Sequence, residues 1–225
     1  MEKTYKRGQV EWAIWQSLDS QYAFGREPPK TFQTRIKRLL EIDRAAPEDS
    51  PRFAFSEGPP SGQGVDVSFT PFDAFCLALA LDLLDMGFKQ SEIVFLLRHI
   101  RPLLKNEFDW MTSRRIPLRQ VALAENHPDL PSFWEGDRRL ADFRLFTLIQ
   151  KVELKELHPS TANAEDMNSP FIYQPVFCRG IEALDLEINR RNWSFRKALV
   201  LELSTTATLV TRFLDEAPAT KRGRG

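Results

Sequence analysis

The chain is poor in the residues that announce chemistry. Of its 225 residues only two are cysteines, Cys76 and Cys178, and they lie far apart. They form neither a disulfide framework nor a metal knuckle, and a reduced, cytoplasmic setting is expected. The three histidines, His99, His127 and His158, have no ligand partner three or four positions away, so no metal site is expected. No apolar run approaches the ~18 residues that span a bilayer. The opening MEKTYKRGQVEW carries charges where a signal peptide needs an apolar core. There are no heptads and no internal repeats. No Ser/His/Asp arrangement, cleft-like carboxylate pair or phosphate loop is present, and GQG at 62–64 is too short to cradle a phosphate. The expectation is a non-enzymatic protein without a cofactor.

Net charge is also lacking, with 31 basic residues against 31 acidic. The distribution is less even. Residues 1–44 hold nine Lys/Arg and six Asp/Glu, whereas residues 45–104 hold four and eight. A basic front on an acidic support allows one surface to face phosphate. Hydrophobic residues make up 42% of the chain, enough to build a core rather than a disordered polymer.

The most legible stretch runs from Ser68 to Leu104, SFTPFDAFCLALALDLLDMGFKQSEIVFLLRHIRPLL. Thr70 is placed to cap a helix, Pro71 suits its first position, and Asp73 sits where a capping box puts its acid. The following residues are apolar almost all round, which predicts a largely buried helix. Gly87 ends it in the left-handed conformation, with Phe88 as the hydrophobic contact beyond. A second helix carries Ile93, Leu96, Leu97 and Ile100 as one stripe, and Pro102 is expected to limit it. Upstream, Gly8 to Leu18 and Lys30 to Asp43 are helix candidates. The first has Val10, Ile14 and Leu18 on one face, and Trp12 and Trp15 are expected in or over the core. The second has an inner stripe of Phe32, Ile36, Leu39 and Leu40. Its other face carries Thr34, Lys37, Arg38 and Glu41, with Arg35 beside it. Arg52-Phe53-Ala54-Phe55 and Val65 to Phe69 flank the Gly/Pro-rich SEGPPSGQG and read as a β-hairpin.

The order helix, helix, hairpin, helix, helix resembles the winged-helix domain of the MerR family of transcription regulators. The match is best at Phe69-Thr70-Pro71, Asp73, Gly87-Phe88, Glu92-Ile93 and Leu96-Leu97. It covers residues 8–104. The resemblance implies a dimeric protein that binds double-stranded DNA, with the helix from Lys30 as the reader. Residue by residue, Thr34, Arg35, Lys37 and Arg38 are the expected DNA contacts, with Lys30 and Arg52 beside them. Thr31 and Gln33 are weaker candidates. Three departures stand out: about a dozen residues separate the first two helices, the second helix keeps Thr34, Arg35, Lys37 and Arg38 but has no tyrosines, and the hairpin after Arg52 holds no Lys or Arg.

Past Leu104 the character changes. Residues 105–140 are proline-containing and of mixed charge, and are expected to connect. The runs FRLFTLIQKVEL (143–154), FIYQPVFC (171–178) and KALVLEL (197–203) look β-like, and STTATLVTRFLDEA looks like a closing helix capped by Ser204. The expected organisation is a winged-helix domain at 1–104, a connector at 105–140, a small α+β domain at 141–216, and a basic tail at 217–225. The fold class is mostly α with small β. DNA-binding regulation is the leading function. A protein-interaction module on the same scaffold is one alternative. A ligand-binding or catalytic role for 141–216, with a small-molecule or protein partner, is another.

Overall fold

The computed structural model describes residues 3–18, 26–45, 53–58, 68–113, 144–150, 175–190 and 198–219. These form six helices and two small antiparallel sheets. In chain order they are β1 (Tyr5–Lys6), α1 (Arg7–Leu18), α2 (Lys30–Arg44), β2 (Ser68–Phe69), α3 (Pro71–Asp85) and α4 (Gln90–Ser113). After these come β3 (Leu145–Gln150), β4 (Val176–Arg179), α5 (Ile181–Ile188), β5 (Ala198–Glu202) and α6 (Ser204–Glu216). The molecule is mostly helical with a small antiparallel sheet, as expected. No helix among the described residues is long and apolar enough to cross a membrane.

α3 is the central support. Thr70 Oγ1 accepts from Asp73 N at 3.1 Å and the Asp73 carboxylate accepts from Thr70 N at 2.8 Å, completing the capping box. Every residue from Phe72 to Leu81 is buried, and so is Leu83. At the far end Gly87 adopts φ 85°, Gly87 N donates to Leu84 O, and Phe88 N donates to Leu83 O. This is a Schellman ending, and glycine enters it without the Cβ penalty.

α4 does not stop at Pro102. It runs eleven residues past it to Ser113. The apolar stripe continues through Leu104, Phe108 and Met111, all buried, and Phe108 packs against the rings of Phe72 and Phe75 at 5.4 and 5.2 Å. Proline removes one helical hydrogen bond and costs about 3 kcal/mol inside a helix. Burial on both sides of Pro102, whose own side chain is exposed, outweighs that cost. The first part of the expected connector is therefore helix, and 114–143 lie outside the described residues.

The expected hairpin also differs. Phe53-Ala54-Phe55 is not a strand: Phe53 is irregular, and Ala54 and Phe55 form a bend and are buried. Ser68–Phe69 pairs instead with Tyr5–Lys6 at the other end of the sequence, with Tyr5 opposite Phe69. Residues 59–67, which hold most of the tip and the start of the second run, and Arg52 lie outside the described residues.

In the C-terminal half the three β-like runs match the observed strands, β4 ending one residue past its run, in the order β4-β3-β5 with antiparallel pairing throughout. Leu145 and Ile149 of β3 face the helical core, joined by Leu199 and Leu201 of β5. Phe146 and Leu148 point to the other face, where Cys178 and Leu184 complete a small second cluster under α5. α6 returns to the first half and packs against α1 and α3. Trp12 meets Phe213 edge-on at 6.1 Å. One buried cluster thus holds Val10, Ile36 and Leu79 together with Leu145, Val210 and Phe213. The expected units 1–104 and 141–216 share that core. Ser204 is not the cap of α6: its hydroxyl accepts from Leu145 N at 2.7 Å, while the Glu202 carboxylate accepts from Ser204 N and Thr205 N. The geometry follows from the sheet, because Ser204 sits beside the end of β3 and its hydroxyl is used there.

Candidate nucleic-acid interface

α2 is amphipathic along its whole length. Phe32, Ile36 and Leu39 are buried, and the helix packs chiefly on α4 and then on α3. It also touches α1 at Trp15, whose ring meets Phe32 at 5.2 Å. Two further bonds fix the approach of the chain to α2. Gln16 Nε2 donates to Arg26 O at 3.0 Å, and an Arg7 guanidinium nitrogen donates to Gln33 O at 3.3 Å. With 3.6 residues per turn, burying positions 32, 36 and 39 turns 30, 34, 37, 38, 41 and 44 outward. Lys30, Thr34, Lys37, Arg38, Glu41 and Arg44 are all exposed.

The six expected contacts therefore divide. Lys30, Thr34, Lys37 and Arg38 share one solvent face. Arg35 is exposed on its flank and pairs with Asp85 of α3, Nη1 to Oδ1, at 3.1 Å. Arg52 lies outside the described residues. Thr34 Oγ1 donates to Lys30 O at 2.8 Å, within its own helix. Lys37 lies 3.6 Å from Glu41, one turn on. Lys30, Arg38 and Arg44 make no ion pair among the described residues. Of the weaker candidates, Thr31 is exposed, and Gln33 is half-buried with Nε2 donating to Pro28 O at 3.3 Å. Arg44 belongs to the face and was missed in the sequence. It falls seven residues after Lys37, two helical turns on, and that spacing was the available signal.

Beneath the far end of α2 lies a second set of charges that the sequence did not disclose. Buried Asp43 accepts from Ala54 N at 3.0 Å, Phe55 N at 3.2 Å and Arg98 Nε at 2.7 Å. A guanidinium nitrogen of Arg98 also donates to Asp43 O. One turn along α4, buried Arg101 donates to Asp73 Oδ1 at 2.5 Å and to Ala54 O at 2.7 Å, and it lies over the Phe72 ring at 4.8 Å. Two acids and two arginines thus fasten 53–55 against α2, α3 and α4. Every cation in this set is committed to protein acceptors.

The remaining chemistry is quiet. Burial pushes the Cys76 thiol up to about 12, and burial followed by the Glu187 carboxylate raises that of Cys178. Both sulfurs are therefore thiols at neutral pH and poor nucleophiles. No group of three or more His, Cys, Asp or Glu among the described residues is placed to hold a metal ion. Lys3 Nζ and Tyr5 OH both donate to Asp215 Oδ1, at 2.7 and 2.9 Å, tying the first strand to α6.

No family model, curated protein or solved structure matches this chain. The functional reading stands on the residues themselves. In those terms α2 offers an exposed face of four cations, one hydroxyl and one carboxylate, that of Glu41 beside Lys37, mounted on a buried stripe. Such a face attracts polyanions through charge and offers side chains long enough to reach phosphates or base edges.

Proposed function

We propose that the protein binds double-stranded DNA through the outer face of α2 and acts as a DNA-binding regulator of MerR-like type. The observation that carries this reading is the alignment of Lys30, Lys37, Arg38 and Arg44 on one exposed face. The opposite side of the same helix is anchored by Phe32, Ile36 and Leu39. Lys30, Arg38 and Arg44 have no protein counter-charge among the described residues, so phosphates are natural partners for them. α3 and α4 supply a stiff base, and the Asp43 network fixes the end of the reader. The departure from a winged helix at Phe53–Phe55 leaves α2 to supply most of the attraction. A protein-interaction surface is the second reading, favoured by exposed Leu186 and Ile188 on α5 and Val200 on β5.

Titrating labelled genomic DNA fragments with the parent protein and with a Lys37→Ala/Arg38→Ala variant, at two salt concentrations, tests the reading. Each phosphate contact releases about one counterion, so the variant should bind more weakly, with a salt slope flatter by roughly 1 to 2 units. Circular dichroism should be unchanged, since both side chains point to solvent. Equal affinity and slope in parent and variant would remove α2 as the reader. Absence of binding at low salt in both would pass the case to the interaction surface.

A further inference from the structure

Arg35 differs from the other cations of α2 in one respect: its carboxylate stands on another helix, whereas that of Lys37 is Glu41 of α2 itself. Its Nη1 lies 3.1 Å from Asp85 Oδ1, and both side chains are more than half exposed, at 56% and 64%. The pair joins the flank of α2 to the last turn of α3. Asp85 has its own reason to hold a cation. It sits at the carboxyl end of α3, where the helix dipole is negative, and Asp82 lies one turn before it on the same helix. Neither Asp82 nor Asp85 has any other ion pair among the described residues. Among the described residues Arg35 is thus the one cation that answers this acidic helix end. It is also exposed on the flank of the face assigned to DNA.

Resting on the reading given under Proposed function, we propose that Asp85 is an intramolecular competitor for DNA phosphate at Arg35, and so sets the affinity of the α2 face. In the free protein Arg35 is neutralised by Asp85 and contributes little to the field over α2. To contact a phosphate it must leave Asp85, and that exchange subtracts from the gain. Exposed ion pairs are weak, so the competition is graded and not all-or-none. The residue that tunes DNA affinity then stands on the support helix, outside the reading face.

A double-mutant cycle of Asp85→Asn and Arg35→Ala, read by DNA affinity and salt slope, tests this in the full-length protein. Asp85→Asn alone should tighten binding about two- to fivefold, the range an exposed pair allows, and steepen the salt slope by roughly 1 unit. Arg35→Ala alone should change affinity less than Arg38→Ala does, because Arg35 starts out neutralised. In the Arg35→Ala background, Asp85→Asn should gain nothing. If Asp85→Asn gains equally in both backgrounds, Asp85 acts only by repelling DNA and the competition is overturned. If Asp85→Asn gains nothing in the parent, it is overturned as well. Lys37→Ala/Arg38→Ala runs alongside. If that variant binds more weakly while the cycle is flat, the α2 reading stands and the Asp85 proposal falls. If it binds as the parent does, or the parent does not bind, the α2 reading falls and takes the proposal with it.

Discussion

Arg98 and Arg101 on α4, and Arg38 and Arg44 on α2, are the same residue type in two situations. The α4 pair reaches inward to Asp43, Asp73 and backbone carbonyls, and Arg101 and both acids are buried. The α2 pair reaches into solvent and meets no protein acid among the described residues. The difference has an energetic meaning. Charges taken out of water are stable only while every partner stays in place, so the α4 arginines are bound up in the fold. Charges left in water give the fold almost nothing and remain free to meet a ligand. A cation's role in this chain is thus set by which face of its helix is buried, more than by its identity.

The largest effect expected from this contrast is at Arg101. Replacing it with alanine leaves Asp73 Oδ1 and Ala54 O without their donor in the interior. Breaking one side of a buried pair costs about 3–5 kcal/mol. Urea denaturation of Arg101→Ala should show a loss of that size, and melting should fall by on the order of 10 °C. A loss below about 1 kcal/mol would mean that the network is dispensable and that the two arginine groups do not differ as described.

Asp82 sharpens the contrast, since it is a partly buried charge with no ion pair among the described residues. Burial, then the nearby Asp85 carboxylate, pushes its carboxyl up from 3.8 to about 6. An acid whose folded value lies above its unfolded value binds its proton more tightly when folded. Below about pH 4 it is protonated in both states and costs nothing. The cost grows as pH rises through about 6 and is complete above it. Asp82→Asn should therefore stabilise the protein at pH 8, by up to about 3 kcal/mol, since each tenfold change in proton affinity is worth 1.36 kcal/mol. The gain should vanish by about pH 4. A gain independent of pH would place its origin in packing and not in the lone charge.

The sequence disclosed what is written locally. Thr70, Asp73 and Gly87 mark both ends of α3, because caps and left-handed glycines involve neighbours in the chain. The three β-like runs locate β3, β4 and β5, since one strand face is apolar whichever strand it pairs with. What was hidden depends on distant partners. Ser68–Phe69 pairs with Tyr5–Lys6 across the length of the first half, and no local pattern in 52–69 could say so. α4 continues past Pro102 because Phe72 and Phe75 wait on the other side for Phe108. α5 shows no stripe, as only Leu184 is buried while Ile181, Leu186 and Ile188 are exposed. At the candidate site, periodicity placed Thr34, Lys37 and Arg38 outward together. It could not show that Arg35 is answered by Asp85, or that Asp43 sits inward with Arg98.

The smallest expected effect completes the comparison. Lys30→Ala, Arg38→Ala and Arg44→Ala combined should shift stability by no more than about 0.5 kcal/mol, the range of surface substitutions away from special features. No ion pair among the described residues is lost, because none of the three makes one. Arg44 lies in the last turn of α2, where a cation favours the helix dipole by a few tenths of a kcal/mol. Alanine is at least as good a helix former as Lys or Arg, which offsets that loss. Removing three like charges from one face also relieves their mutual repulsion, most visibly at low salt. Urea denaturation at two salt concentrations measures the balance. A loss above about 1.5 kcal/mol would show that these side chains hold α2 in place, and the line between cations that build the fold and cations left for a ligand would disappear.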